Sequence, residues 1–218
     1  MMHPDGSFVL RRRVTGLIAI TCDQWFSSPA PVMSPEDMAE FCERLAVLII
    51  DDALHVSSIQ RWGVTILFGM LRSPEWRKHI ATRFWCMLAY CGTVEEGQES
   101  FGWCLQNAIE LLEFTRGLPD GEGLKWWYGT LWFHYDKLDT TVRDEVEGIA
   151  RDMSLGDNLS DLNLYLNLIG EEITRVQKDA DRLFDVVRVS SFGMERRGRL
   201  IALEGNHHRL ARIVGQHR

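Results

Sequence analysis

The sequence lacks the short motifs that identify the common catalytic and metal-binding families. It has no CxxC pair, so a structural zinc site of the usual kind is not expected. The glycine-rich loops that bind phosphates or dinucleotides are missing. So are the Gly-x-Ser-x-Gly elbow and the kinase signature set. We therefore predict no catalytic residues, no resident cofactor and no bound metal.

Long apolar runs and paired cysteines are also scarce. The most apolar stretch, 45–54, is interrupted by Asp51 and Asp52 and is too short to cross a bilayer. The five cysteines are odd in number and irregularly spaced, which does not predict a disulfide framework. These features predict a soluble protein of the cytoplasm or nucleus with no membrane span.

Charge is distributed unevenly along the chain. The net charge is −7, yet residues 188–218 hold seven arginines against only Glu195 and Glu204. We interpret 188–218 as a basic C-terminal tail, either disordered in solvent or docked on the acidic body of the same chain, on a partner or on a polyanion. The rest of the chain is acidic, which disfavours nucleic acid as the main partner and leaves a weak polyanion contact through this tail.

Helical periodicity dominates from residue 34 onward. Ser34 is a good N-cap, and Pro35 suits the first helical position because its missing N–H would have no partner there. Apolar residues then recur at spacings of three and four to about His55, which predicts an amphipathic helix. Further helices are predicted from Ser57 or Ser58, from Pro74, and over about 98–116, 124–135, 139–155 and 158–187.

One internal repetition bears on the fold. Residues 34–49 align with 73–88, so that Ser-Pro-Glu falls on Ser-Pro-Glu and Arg44 falls on Arg83. In this spacing the sequence resembles the HEAT and armadillo helical-repeat families, whose units are about 40–47 residues long. The resemblance covers about 34–170 and concerns the pattern alone.

The resemblance implies an all-α fold of stacked antiparallel helix pairs, an α-α superhelix of about seven to eight helices. On this interpretation 34–187 is the helical repeat domain, followed by the tail at 188–218. The N-terminal segment 1–33 is then a cap or a partial repeat.

A group of tryptophans and cations near the second and third predicted helices is our first candidate for a partner-binding surface. Tryptophan and arginine are the residue types most enriched in binding hot spots, and arginine makes planar contacts to carboxylates. The alternative is that the tryptophans pack in the core and the cations lie at its rim. The group comprises Trp62, Arg72, Trp76, Arg77, Lys78 and Arg83.

Two asparagines form a second candidate for partner contact. Asn163 and Asn167 are four residues apart, beside the apolar stripe of the helix predicted over 158–187. In armadillo-like proteins, asparagines of the inner helix bond the backbone of an extended peptide, so the resemblance implies that role here. The alternative is a solvated helix face.

Three groups of acids and histidines carry the enzymatic alternative. The pair Asp51 and Asp52 resembles part of the metal-binding aspartate motif of terpene synthases, but His55 stands where a further acid is needed. A His–Asp group can act as a general base, and Glu-x-x-His occurs in di-iron bundles. The corresponding groups here are His134, Asp136 and Asp139, and Glu204, His207 and His208.

Taken together, these patterns predict a non-enzymatic protein–protein interaction or scaffold module that presents an extended helical surface to another protein or peptide. The alternative is a helical ligand-binding protein or metal-dependent enzyme. Its pocket would be lined by the aromatic helix 124–135 together with Asp51, Asp52 and His55. The oligomeric state cannot be predicted from the sequence.

Overall fold

The structure is a computed structural model that describes residues 33–53, 66–80, 85, 99–118, 121–184 and 191–215. Regular secondary structure within these ranges is entirely helical, so the predicted all-α class is confirmed. The superhelix of stacked pairs stays a prediction. The helices are α1 (Pro35–Ala53), α2 (Pro74–Arg77), α3 (Glu99–Gln106), α4 (Ala108–Arg116), α5 (Glu122–Phe133), α6 (Thr140–Leu155), α7 (Leu159–Phe184) and α8 (Ser191–Gly215). Residues 66–72 are also helical, and Tyr135–Lys137 form a 3₁₀ turn.

Local capping chemistry accounts for several helix ends. The Ser34 hydroxyl accepts a hydrogen bond from the Asp37 backbone N–H at 3.2 Å, just before Pro35 opens α1. Asp139 caps α6 in the same way, since its carboxylate accepts from the Val142 N–H at 2.9 Å. Gly156 follows α6 as its C-cap. These ends lie where the sequence predicts them.

The helix predicted over 98–116 is instead divided into α3 and α4 at Asn107. The Asn107 side-chain amide donates to the Trp103 carbonyl at 2.8 Å, and its backbone leaves ordinary helical geometry, with φ −109° and ψ 27°. Asparagine side chains compete with the backbone for helical carbonyls, which is why they often mark such breaks.

The chain divides into two compact units, Met1–Trp126 and Trp127–Arg218, with the boundary inside α5. In the first unit, described side chains meet through aromatic contacts. The Phe68 and Phe101 rings lie 4.8 Å apart between centroids, and the Cys104 thiol donates to the Phe68 carbonyl at 3.8 Å. Burial raises the pKa of this thiol, so Cys104 behaves as a small core residue.

The second unit places residues 127–133 against α6 and α7. All seven of these residues are buried, so this part of the aromatic helix predicted over 124–135 lies in the core. The Tyr128 hydroxyl donates to the Val146 carbonyl at 2.6 Å, and its ring meets Tyr165 edge-on at 5.8 Å. Tyr165 also lies against Gly129. The absence of a side chain at position 129 thus allows α5 and α7 to approach closely.

Helix α8 corrects the interpretation of a disordered tail for residues 191–215, whereas 188–190 and 216–218 lie outside the described residues. Residues Ser191–Gly215 form a helix that packs along α7 and α6. The buried residues that hold it recur at helical spacing: Leu203, Asn206, Leu210, Ile213 and Val214. The described arginines of α8 lie between these positions and on the outer face, so the helix is part of the second unit's core packing.

Candidate functional site

A buried carboxylate joins α6 to α8 and to the 3₁₀ turn. The side chain of Glu147 is only 5% exposed. It accepts hydrogen bonds from the Tyr135 hydroxyl, from Arg209 Nε at 2.8 Å and from Arg151 at 2.7 Å. Burial acts to raise the pKa of Glu147, but the hydrogen bonds from Tyr135 and Arg209 and the charges of both arginines outweigh it. The pKa therefore lies below its usual value, and the group is a stable ion-pair network.

Tyr135 completes this network on its other side. Its ring stacks on Trp132 with centroids 5.0 Å apart and planes at 9°. The Arg143 guanidinium lies 5.4 Å from the same ring and donates through Nε to the Tyr135 carbonyl at 3.1 Å. Burial and the hydrogen bond to Glu147 raise the pKa of Tyr135 to about 12. Neither the phenol nor the carboxylate is poised to exchange a proton near neutral pH.

The predicted His–Asp group falls into three separate structural roles. His134 is 1% exposed, and burial lowers its pKa well below the ordinary value, with Arg199 and Lys137 acting in the same direction. Asp136 accepts from the Asn206 amide at 3.0 Å, and Asp139 caps α6. The imidazole is neutral and enclosed, and both carboxylates accept hydrogen bonds. The three side chains therefore stabilise the fold and are not arranged as a general base.

An open groove of about 660 Å³ lies between α7 and α8. Its lining belongs to the second unit and combines charged, amide, hydroxyl and apolar groups. The lining residues are Leu166, Asn167, Gly170, Glu171, Thr174, Arg175, Lys178 and His207. Seven of these lie on α7 at positions that recur every three or four residues, so they occupy one face over about three turns, roughly 18 Å.

Gly170 and Leu166 provide the less polar part of the groove. A Cβ on Gly170 would lie 3.9 Å from His207 Nε2, and no other described atom outside the adjoining backbone of α7 lies within 4 Å of it. Space therefore remains above this position because it carries no side chain. Thr174 lies one turn further along and donates its hydroxyl to the Gly170 carbonyl at 2.9 Å.

The charges of the groove are unequally engaged. Arg175 makes a forked ion pair with Glu172, whose side chain is 8% exposed, through two contacts of 2.7 Å. Glu171 and Lys178 are exposed. Within the described part of the chain, neither of these two forms an ion pair. Besides the paired Arg175, the groove thus presents one anionic and one cationic group that are not ion-paired among the described residues, two helical turns apart on α7.

The structure places the two predicted asparagines differently. Asn167 is exposed and lines the groove. Asn163 donates its amide to the Leu159 carbonyl at 2.9 Å, within its own helix. Contact of either residue with a peptide stays a prediction, and the position of Asn167 favours it.

The predicted tryptophan and cation surface is described only in part. Trp76 is 3% exposed and meets Phe41 edge-on at 5.8 Å, which fits the alternative of a core tryptophan. Arg77 pairs with Glu110 at 2.8 Å and lies 5.1 Å from the Phe114 ring. Arg72 is half-buried, and Lys78 pairs with Glu75 at 2.9 Å. Trp62 and Arg83 lie outside the described residues.

The remaining candidates give no metal centre in the described ranges. Asp51 and Asp52 belong to α1, and their side chains lie outside the described part of the structure, as does the whole of His55. Glu204 and His208 are exposed on α8, whereas His207 faces the groove. Among the residues that the structure describes, no three histidine, cysteine or acidic side chains are grouped as metal ligands.

Sequence reasoning missed most of the groove. Four of its polar residues lie beside the apolar stripe of α7, where the sequence pattern indicates an ordinary solvated face. They are Glu171, Thr174, Arg175 and Lys178. The signal that could have found them is the combination of this polar face with Gly170, a gap within a long amphipathic helix. His207 could not be added, because 188–218 was interpreted as a tail.

None of the described helices is both long and apolar enough to cross a bilayer. No protein-family model matches the chain. Neither a curated protein nor a solved structure matches it.

Proposed function

We propose that this protein is a non-enzymatic interaction module that binds a peptide segment of a partner protein in the groove between α7 and α8. The observation that supports the proposal is the groove itself, an open channel of about 660 Å³ with polar groups along its length and a gap at Gly170. Asn167 offers both an amide donor and an amide acceptor, which suits the main chain of a peptide.

The shape of the groove favours a peptide over a small ligand. Sites for small molecules enclose most of the ligand surface and are largely apolar. This groove is open to solvent along about three turns of α7, roughly 18 Å. An extended chain advances about 3.3 Å per residue, so about five to six peptide residues match that length.

The titratable groups of the second unit's core support the same proposal. Glu147, Tyr135 and His134 are each held in protonation states that resist change near neutral pH. Their polar contacts maintain the packing of α6, α8 and the 3₁₀ turn. A binding role requires none of them to react.

The test is a selection of random seven-residue peptides displayed on phage against the full chain. Wild type should enrich peptides that the Gly170→Leu variant does not bind, because a leucine at this position fills the gap beside His207. Gly170→Ala is the matched control. Its Cβ would make an ordinary contact at 3.9 Å and leave most of the groove open.

Retained helical circular dichroism and cooperative unfolding of both variants would establish that each is folded. Enrichment by wild type and Gly170→Ala, with loss in Gly170→Leu, supports the proposal. Failure of folded wild type to enrich any peptide would refute it, as would equal enrichment by all three proteins.

A further inference from the structure

We infer that the groove recognises a pair of opposite charges in its peptide. An acidic side chain is bound beside Lys178 and a basic one beside Glu171. This inference rests on the proposed function and adds the chemistry and direction of the ligand. It depends on the two exposed charges of the groove lying on the same helix at fixed positions.

The spacing of these two charges follows from helix geometry. Residues seven apart on an α-helix lie almost two turns apart on the same face, separated along the axis by about 10 Å. A chain in extended conformation covers that distance in about three residues. The complementary peptide therefore carries its acidic and basic residues about three positions apart.

Neighbouring charges leave this pair as the main electrostatic feature of the groove. The forked contact with Glu172 offsets the positive charge of Arg175. His207 lies on the opposite wall, beside Gly170 and therefore close to the level of Glu171. Glu171 thus lies at the level of the apolar gap, where a small or apolar peptide side chain fits, and Lys178 lies about two turns further along α7.

Opposite charges at two separate points along a groove fix the direction of the bound chain. A peptide inserted the wrong way would place like charges together at both points, and such juxtaposition selects against wrong partners. Exposed ion pairs are individually weak, so each is expected to change affinity only by about two- to fivefold. The order of the charges in selected peptides is therefore a sharper readout than affinity.

The experiment compares phage selections on wild type and on the charge-exchanged variant Glu171→Lys/Lys178→Glu, in the full chain. Wild type should enrich peptides with an acidic and a basic residue about three apart in one order. The exchanged variant should enrich the reverse order. Glu171→Gln and Lys178→Gln serve as second variants, and each should relax selection at one end only.

The outcomes separate the inference from the function on which it rests. Peptides enriched without a charge pair, or in the same order by wild type and the exchanged variant, would overturn the inference and leave peptide binding intact. Wild-type peptides that Gly170→Leu also captures equally would count against the groove itself. Reversal of the charge order supports both.

Discussion

Glu147 shows how one carboxylate can hold three parts of a helical unit together. Its oxygens accept from Tyr135 in the 3₁₀ turn, from Arg151 in α6 and from Arg209 in α8. Both arginines are about half exposed, whereas the carboxylate is not. The cost of burying this charge is therefore offset by hydrogen bonds to cations that remain partly hydrated.

Replacing Glu147 with glutamine should lower the free energy of unfolding by about 2 kcal/mol, because hydrogen bonds to charged groups are lost. Urea denaturation at pH 7 measures this change. Asp152→Asn is the control, since Asp152 is exposed on the same helix and its replacement should change stability by less than about 0.5 kcal/mol. Equal effects of the two substitutions would contradict the role of Glu147.

Burial of His134 determines how the free energy of unfolding changes with pH. Its pKa in the folded protein lies well below the ordinary 6.5. Below pH 6.5 the unfolded chain therefore binds more protons than the folded one, and the free energy of unfolding falls as pH falls. The slope for this one site is at most about 1.4 kcal/mol per pH unit. Glu147, whose pKa is also lowered, adds a further loss below 4.5.

Urea denaturation at a series of pH values between 8 and 4 tests this expectation. His134→Gln should remove the loss that begins near pH 6.5 and leave the loss below 4.5 in place. If the variant and wild type lose stability in parallel between those values, His134 is not the group responsible.

At the scale of helices, close approach depends on positions without side chains. A Cβ on Gly129 would lie 2.8 and 2.9 Å from ring carbons of Tyr165, which is itself fully buried. Gly148 lies within α6, and a Cβ there would meet nothing within 4 Å. The two glycines thus occupy similar helical positions with opposite packing.

Gly129→Ala should destabilise the protein by about 1–3 kcal/mol, because overpacking against Tyr165 exceeds the gain in helix propensity. Gly148→Ala should stabilise it by up to about 1 kcal/mol, since only the propensity changes. Thermal unfolding of both variants distinguishes them. A stabilising Gly129→Ala would show that α5 and α7 can separate at little cost.

Helix ends were predictable where the determining chemistry is local. Asp139 and Gly156 bound α6 as their capping preferences indicate. The break at Asn107 was missed, because an asparagine within an amphipathic pattern is compatible with an unbroken helix as well. Helix α8 was missed for another reason. Its buried stripe is short and interrupted by glycines and arginines, so it becomes stable only against α6 and α7.

At the scale of the whole molecule, the segment 191–215 is an integral part of the second unit. Leu203 is fully buried, whereas Ile201, two residues earlier, is 63% exposed. Leu203→Ala should lower the free energy of unfolding by about 2–5 kcal/mol through lost burial and a cavity. Ile201→Ala should change it by less than about 0.5 kcal/mol. Guanidinium denaturation of both variants measures these changes. If Leu203→Ala left the free energy of unfolding unchanged, the interpretation of a tail would be restored.

The groove could not be predicted because it is a property of packed helices. Asn167 was selected by its position beside the stripe of α7, and it does line the groove. The neighbouring charges carry no sequence motif. The gap at Gly170 becomes part of a groove only because His207 faces it from α8, and that contact depends on the packing of α7 against α8.

The contact between Glu147 and Arg209 also has a kinetic consequence. These residues are 62 positions apart in the chain, so their hydrogen bond closes a long loop. Closing that loop lowers the conformational entropy of the chain. Helices α6 and α7, by contrast, are chain neighbours, and such local contacts form early in helical proteins. We expect the carboxylate network to form after the folding transition state. Loss of Glu147 would then shorten the lifetime of the native state and leave the folding rate nearly unchanged.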